Sequence, residues 1–237
     1  MKKGHKNFAC VLVDLEAGNV IDVLKERNKE YLETYFKKLG TKFCKQIEVL
    51  SCDMWTGFAN LVGSVFPNAQ LVIDRFHFSK SLNKTLDSFR KNLKRTLFKD
   101  TELHQGKLRF ALLKPLYKIS NQDYDILNAA FEVSMDLKIF YNLKEEFRNI
   151  FNLKISRKEA INRIKKWEQQ AENFNNQYLN AFLKTLNNWY EGILNYFNDR
   201  ISNGIVEGKN NKVKMIKRRA FGFLNFENMR LRIIDEC

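Results

Sequence analysis

Proline is nearly absent from this chain: Pro67 and Pro115 are the two in 237 residues. That scarcity removes the strongest helix breaker and suits long helices. Cysteine is also scarce. Cys10, Cys44, Cys52 and Cys237 form no Cys-x-x-Cys pair, which argues against a zinc site or a disulfide framework. Three of them lie in or beside apolar runs, the setting of buried free thiols in a reducing cytosol. No apolar run approaches the roughly 20 residues of a membrane span. Met1-Lys-Lys-Gly-His lacks the apolar stretch of a signal peptide, so a cytoplasmic protein is expected. Internal repeats and low-complexity linkers are absent as well. Acids are outnumbered, 27 against 41 Lys and Arg, giving a formal charge of +14. Such an excess points to nucleic acid or another polyanion as partner. The 44% hydrophobic and 13% aromatic content supports a packed core and excludes disorder.

The amino-terminal part alternates element types. Residues 8–15 read as a strand, Ala17-Gly18-Asn19 as a turn, and residues 20–24 as the returning strand of a hairpin. Tyr31, Leu32, Tyr35, Phe36 and Leu39 have helical spacing, and Gly40 supplies a stop. Residues 47–53 and 69–74 read as two further strands, each ending on an acid. Between them Thr56 is placed to cap a short helix that ends before Pro67. From Ser79 the pattern turns helical, and no convincing strand occurs from about 95 to 200. Phe174, Tyr178, Phe182, Leu186, Trp189, Ile193 and Phe197 form a helical stripe that reads as core. A basic helix starts near Gly204. The expected organisation is an α/β part over residues 1–94, a helical block over 95–200 and a carboxy-terminal helix within 201–237.

Asp53 and Asp74 end adjacent predicted strands, where open sheets present ligand-binding residues. Either is a metal ligand for phosphoryl transfer or simply a strand-end turn acid. His77, three residues after Asp74, is placed to touch a carboxylate or phosphate; beside two phenylalanines the structural reading is the plainer one. Trp55 offers a ring for base stacking, with packing again the plainer role. Glu207 is the most informative acid. Six cations follow it before the next acid, Glu227. Glu207, Asn210, Asn211, Lys214 and Arg218 share one helical face, and Lys217 lies beside it. That face offers a carboxylate for a metal, amides for sugar or phosphate, and cations for a phosphate backbone. A solvated basic helix is the bland alternative. Hard carboxylate oxygens suit Mg²⁺ or Mn²⁺.

Five strings together resemble the bacterial insertion-sequence transposases of the ISL-three family: Lys3 to Glu16, Cys52-Asp-Met-Trp55, Phe66-Pro-Asn-Ala69, Asp74-Arg-Phe-His77 and Asn203 to Gly222. They occur in the family's order, and the resemblance runs from residue 3 to about 233. It implies a ribonuclease-H-like mixed sheet with a large all-helical insertion. It also implies a DDE transposase performing DNA transposition: Mg²⁺- or Mn²⁺-dependent cleavage of double-stranded DNA at insertion-sequence ends, then strand transfer into target DNA. Asp53 matches the second catalytic, metal-binding carboxylate and Glu207 the last. Asp74 and His77 match a supporting or DNA-contacting pair, and Asn210, Asn211, Lys214, Lys217 and Arg218 fall on the DNA-holding helix. Proteins of this kind act as multimers, so a nucleoid-associated homo-oligomer in a bacterial cytoplasm is implied.

The resemblance departs at the front. The family's first catalytic aspartate lies on a first strand just before the segment matched by Lys3-Gly4-His5. Asp14 matches a different, non-catalytic position, and its substituting for the missing acid is an alternative. That first strand is central in the implied sheet, so its loss leaves two strands without a shared ladder partner. The expectation is a truncated transposase with its first strand missing, inactive as this fragment. The alternative is a catalytically dead remnant that acts only as a DNA-binding protein.

Overall fold

The computed structural model describes residues 9–98 and 106–237. Lys3-Gly4-His5 and Phe8, which belong to the first matching string and predicted strand, lie outside them. The chain divides into two compact units, Met1–Asp74 with Arg200–Cys237, and Arg75–Asp199.

The first unit is built on two two-stranded sheets. Strands β1 (Cys10–Val13) and β2 (Val20–Leu24) form an antiparallel hairpin. Its turn uses Gly18 at φ 70°, in the left-handed region that glycine occupies without steric cost. Strands β3 (Val49–Cys52) and β4 (Gln70–Ile73) pair in parallel, with Cys52 opposite Ile73. Helices α1 (Lys29–Lys38) and α2 (Thr41–Gln46) connect the sheets, and α3 (Thr56–Ser64) connects β3 to β4. The carboxy-terminal segment returns as α12 (Gly204–Arg219) and α13 (Phe226–Glu236).

Side-chain alternation along β1 explains the layering. Cys10 and Leu12 join a core with Leu32, Phe36, Leu61 and Phe66 from the α1–α3 side, and Leu50 of β3 packs against that same core. Val11 and Val13 face the other way, onto Val20, Val23, Ile216, Met229 and Ile233. Strand residues point alternately to opposite faces, so one hydrophobic strand seats helices on both sides.

Asp22 ties these layers together, a role that the sequence did not suggest. It is buried on β2, and its Oδ2 accepts from the Tyr35 hydroxyl of α1 at 2.6 Å. Its Oδ1 accepts from Arg230 Nε of α13 at 2.5 Å and from the Val23 N–H at 2.6 Å. Burial alone would raise the Asp22 pKa, but these donors outweigh it and hold the carboxyl below its ordinary value of 3.8.

The second unit is helical throughout its described residues. Helix α4 (Arg75–Thr96) buries Phe78, Leu82, Leu86, Phe89 and Leu93. It packs against α7 (Met135–Ile150) and α9 (Gln177–Asn188). Helices α5 (Lys107–Leu113), α6 (Asn121–Val133) and α8 (Arg157–Phe174) complete the bundle. Two short turns follow, α10 (Tyr190–Leu194) and α11 (Tyr196–Asp199). Phe147 sits at the centre, its ring 4.6 Å from that of Trp167 and 5.3 Å from that of Phe182. Lys144 is buried beside them, bonded to the Leu112 carbonyl and to Glu145; burial lowers its pKa to about 8 despite the opposing carboxylate.

Three expectations are corrected. The long helix starts at Arg75 rather than Ser79, because Asp74 ends β4 and the chain turns helical at once. Thr56 is the first residue of α3 and not its cap; Trp55 holds the cap position and no side chain bonds there. The stripe from Phe174 to Phe197 is buried at several points but spans four helices. Asn175 breaks it in the left-handed conformation, and Asn176 recaps the chain through bonds to the Tyr178 and Leu179 N–H groups.

Replacing Asp22 with alanine leaves Tyr35 and Arg230 without their buried acceptor. The expected loss is about 2–4 kcal/mol of stability, measured by urea denaturation. The pH dependence follows from the lowered carboxyl pKa. Asp22's contribution is full above its ordinary value of 3.8 and is lost as pH falls further through the lower folded value. The wild-type and Asp22→Ala stability curves should therefore converge only in strong acid.

Candidate active site

The β3–β4 pair brings two of the expected acids to one end of a sheet. Asp53 and Asp74 follow the register partners Cys52 and Ile73, and the Asp74 N–H donates to the Cys52 carbonyl at 3.0 Å. Asp74 is buried, and its Oδ1 accepts from the Asn203 backbone N–H at 3.4 Å. Asn203 immediately precedes α12, and its carbonyl accepts the first helical bond from the Glu207 N–H at 2.9 Å. The path from Cys52, next to Asp53, through Asp74 and Asn203 to the first turn of α12 thus runs over hydrogen bonds, one of which is accepted by the Asp74 side chain. Glu207, an exposed residue, sits in that turn, where the helix N-terminus favours negative charge.

Among the described residues of this unit, three oxygens are buried without a hydrogen-bond partner: Asp53 Oδ1, Asn203 Oδ1 and Ser51 Oγ. Buried polar atoms are normally satisfied, and an unpaired carboxylate oxygen is the most costly kind. Asn203 was not foreseen as part of the site. Its position before a helix is a capping signal in the sequence, yet its side chain makes no cap bond and keeps its oxygen inside.

The donor set suits a hard divalent cation in chemistry but falls short in number. No group of three or more His, Cys, Asp or Glu is gathered to hold a metal among the described residues. Asp14 does not supply the third acid. Its Oδ1 accepts from the N–H groups of Glu16 and Ala17, at 2.8 and 3.0 Å, and so closes the hairpin turn. Cys10, at the other end of β1, is one of two cysteines whose thiols the Asp53 charge raises, and Asp14 lies four residues away, about 13 Å along the strand. Burial first, then the Asp53 charge, pushes the thiols of Cys10 and Cys52 up to about 12, against the pull of Arg27 on Cys10. Both are inert at neutral pH.

The other face of α12 is anchored. Ile216 is buried and Val213 packs beside it in the core with α13. Lys209 donates to the Cys237 carbonyl, and Arg219 pairs with Glu236. Lys212, Lys214, Lys217 and Arg218 make no ion pair among the described residues. Glu207, Asn210, Asn211, Lys214 and Arg218 are all exposed, as their shared spacing predicts. His77 lies half-buried on the first turn of α4, its ring 5.6 Å edge-on from Phe76. It belongs to the helical unit, whereas Asp74 ends the sheet unit.

Comparison with known proteins decides the family. A family described as Transposase, of the ISL-three type, matches residues 1–233. The chain belongs to the ISL-three family of transposases. The transposase for insertion sequence element IS1001 of Bordetella parapertussis is 27% identical over 238 residues, covering 98% of this chain and 58% of that protein. The transposase for insertion sequence element IS1557 of Mycobacterium tuberculosis is 25% identical over 245 residues, covering 93% of this chain and 54% of that protein. The ISL-three chain therefore spans a little over half the length of the curated relatives it matches. No solved structure matches it.

In this ISL-three chain the turn after Asp53 is set by an aromatic contact. The Trp55 N–H donates to the Asp53 carbonyl at 2.8 Å. Its indole meets Phe58 edge-on at 4.7 Å, with the Arg27 guanidinium 5.2 Å from its centroid. Trp55 is thus a packing residue. The ring lies so close to Gly57 that an added Cβ would fall 2.0 Å from it. Gly57→Ala should expel the indole and loosen the turn that carries Asp53. A loss of about 1–3 kcal/mol and a red-shifted tryptophan emission are expected. An unchanged melting temperature and spectrum would contradict the packing assigned here.

Proposed function

We propose that this chain is the catalytic part of a transposase that cleaves DNA at insertion-sequence ends and joins the freed ends to target DNA. The observation that carries the reading is the buried, unpartnered Asp53 Oδ1 at the end of β3, linked through Asp74 and Asn203 to the helix bearing Glu207. A ribonuclease-H-like arrangement accounts for the helices on both faces of β1 and for two acids at one strand end.

In this reading Asp53 and Glu207 hold Mg²⁺ or Mn²⁺. The ion, when bound, activates the attacking hydroxyl or water and stabilises the leaving oxygen. Asp74 positions the start of α12 by accepting the Asn203 N–H. Asn210, Asn211, Lys214, Lys217 and Arg218 hold the DNA backbone, and His77 contacts DNA or supports a carboxylate. Four unpaired cations on one helix suit a phosphate backbone better than a protein partner. The activity extends to the whole protein and to its action as a homo-oligomer on paired ends.

A second reading is favoured by a specific observation. Strands β1 and β3 contribute to one core, yet their sheets are not joined among the described residues, and no third acid accompanies Asp53 and Glu207. The described residues alone would then bind DNA without cutting it, as a remnant does.

The two readings separate in one experiment. The purified chain, and a longer chain that adds an aspartate-bearing strand ahead of Met1, are incubated with transposon-end DNA and Mg²⁺ or Mn²⁺. Nicking by the longer chain only, abolished by EDTA, supports a catalytic domain short of one acid. Binding without nicking by both supports the remnant. In the cleaving form Glu207→Gln should lower the nicking rate by about a thousandfold while DNA affinity is retained. Unchanged nicking removes Glu207 from the site. Lys214→Ala and Arg218→Ala should each weaken binding and reduce the salt dependence by about one phosphate contact.

A further inference from the structure

The helical unit carries a cleft of about 580 Å³ that the sequence reading did not anticipate. Its walls come from the first turns of α4, the segment after α5, and α7. No acid lines it. Arg75, Lys80, Lys118 and Arg148 do, together with Phe76 and Tyr117. Arg148 is partly neutralised by Glu145 at 2.9 Å. Arg75 spends its donors on the neutral Phe151 carbonyl and the Asn152 side chain. Lys80 and Lys118 make no ion pair among the described residues.

The aromatic rings are exposed where solvent would disfavour them. Phe76 is 51% accessible and Tyr117 78%. Each has an ammonium beside it: Lys80 Nζ lies 5.7 Å from the Phe76 centroid, and Lys118 Nζ 5.8 Å from that of Tyr117. Asn83 also lines the cleft, and its Oδ1 is buried with no hydrogen-bond partner.

We propose that this cleft holds an unstacked nucleotide of a DNA strand. A ring with an adjacent cation, repeated twice, is the arrangement that stacks a base and grips its phosphate together. The volume lies within the range of small-molecule sites and suits one nucleotide rather than a duplex groove. The Asn83 carboxamide oxygen is an acceptor for the exocyclic amine of a base. A free acidic ligand would need only the cations; a protein partner would not need the paired ammonium groups. The choice of DNA over RNA rests on the proposed transposase activity, and the remainder of the inference does not.

The test uses the full chain and two DNA probes, a blunt duplex and the same duplex with a three-nucleotide single-stranded overhang carrying 2-aminopurine. Wild-type protein should bind the overhang probe about tenfold more tightly and quench its 2-aminopurine fluorescence. The double variant Phe76→Ala/Tyr117→Ala should lose the preference and the quenching and keep its affinity for the blunt duplex. Both side chains are exposed, so a circular dichroism spectrum like the wild type is expected. Lys80→Glu/Lys118→Glu should lose the preference too, which a purely hydrophobic surface would not show. Equal binding of the two probes by wild type, or a preference that survives both double variants, overturns the proposal. Neither result touches the cleavage reading, which stands or falls with Glu207→Gln. Tighter binding of a single-stranded RNA of the same sequence would overturn the assignment to DNA.

Discussion

The Asp74 N–H donates to the Cys52 carbonyl, and that bond closes a parallel ladder only four residues long. The placement of the site's acids depends on it. Parallel pairing puts the carboxyl ends of both strands on the same side, so Asp53 and Asp74 emerge together. Antiparallel pairing would have sent them to opposite ends. The connection through α3 is what a parallel pair requires, since a tight turn cannot reverse the chain twice. Asp74 then accepts from Asn203, which draws the distant carboxy-terminal helix to the same end. A contact spanning 129 residues therefore determines where Glu207 stands.

So short a ladder does not hold itself together. Two-stranded sheets are marginal in water and need a packed face. Here Leu50 of β3 packs into the core with α1–α3, and the β1–β2 hairpin is covered by that core on one face and by α12–α13 on the other. Asp22 adds a polar link between the two layers, and its three donors compensate for burying a charge. The cationic face of α12 depends on this seating. A helix carrying six cations repels itself along its length. Ile216 in the core and the pairing of Arg219 with Glu236 oppose that, while Lys212, Lys214, Lys217 and Arg218 make no ion pair among the described residues.

Legibility in the sequence followed the range of the interactions. Residues 20–24 read as a strand and fold as one, because β-branched residues next to a Gly-Asn turn are a local signal. The start of α12 near Gly204 was legible for the same reason, and so was the shared face of Glu207, Asn210, Asn211, Lys214 and Arg218. The number of helices between residues 107 and 199 was not legible from apolar spacing. Their boundaries are written in single polar residues instead. Ser120 and Asp123 form a capping box, and Ser134 and Ser156 cap the next helices. The Asp22 network and the Asp74–Asn203 contact join residues far apart in sequence, and no pattern along the chain encodes them. The aromatic cleft was hidden differently. Phe76 and Tyr117 look like core residues by type, and only the fold shows that they face outward.

One feature of the sheets bears on how the catalytic part is completed in the proposed reading. Among the described residues β1 pairs only with β2, and β3 only with β4. Each of β1 and β3 therefore has an edge of N–H and C=O groups outside any ladder of the described residues. Both strands contribute to the same core, through Cys10 of β1 and Leu50 of β3. Open edges at one core favour pairing with another strand over remaining solvated. A single strand between β1 and β3 would satisfy both edges and merge the two sheets. It would also carry its side chains past Cys10 and Cys52 toward Asp53, whose buried oxygen lacks a partner. An acid on that strand would complete the ligand set that Asp53 and Glu207 begin. On this argument the strand would supply backbone pairing and a catalytic carboxylate together, so the stability of this unit and its activity would rise or fall together.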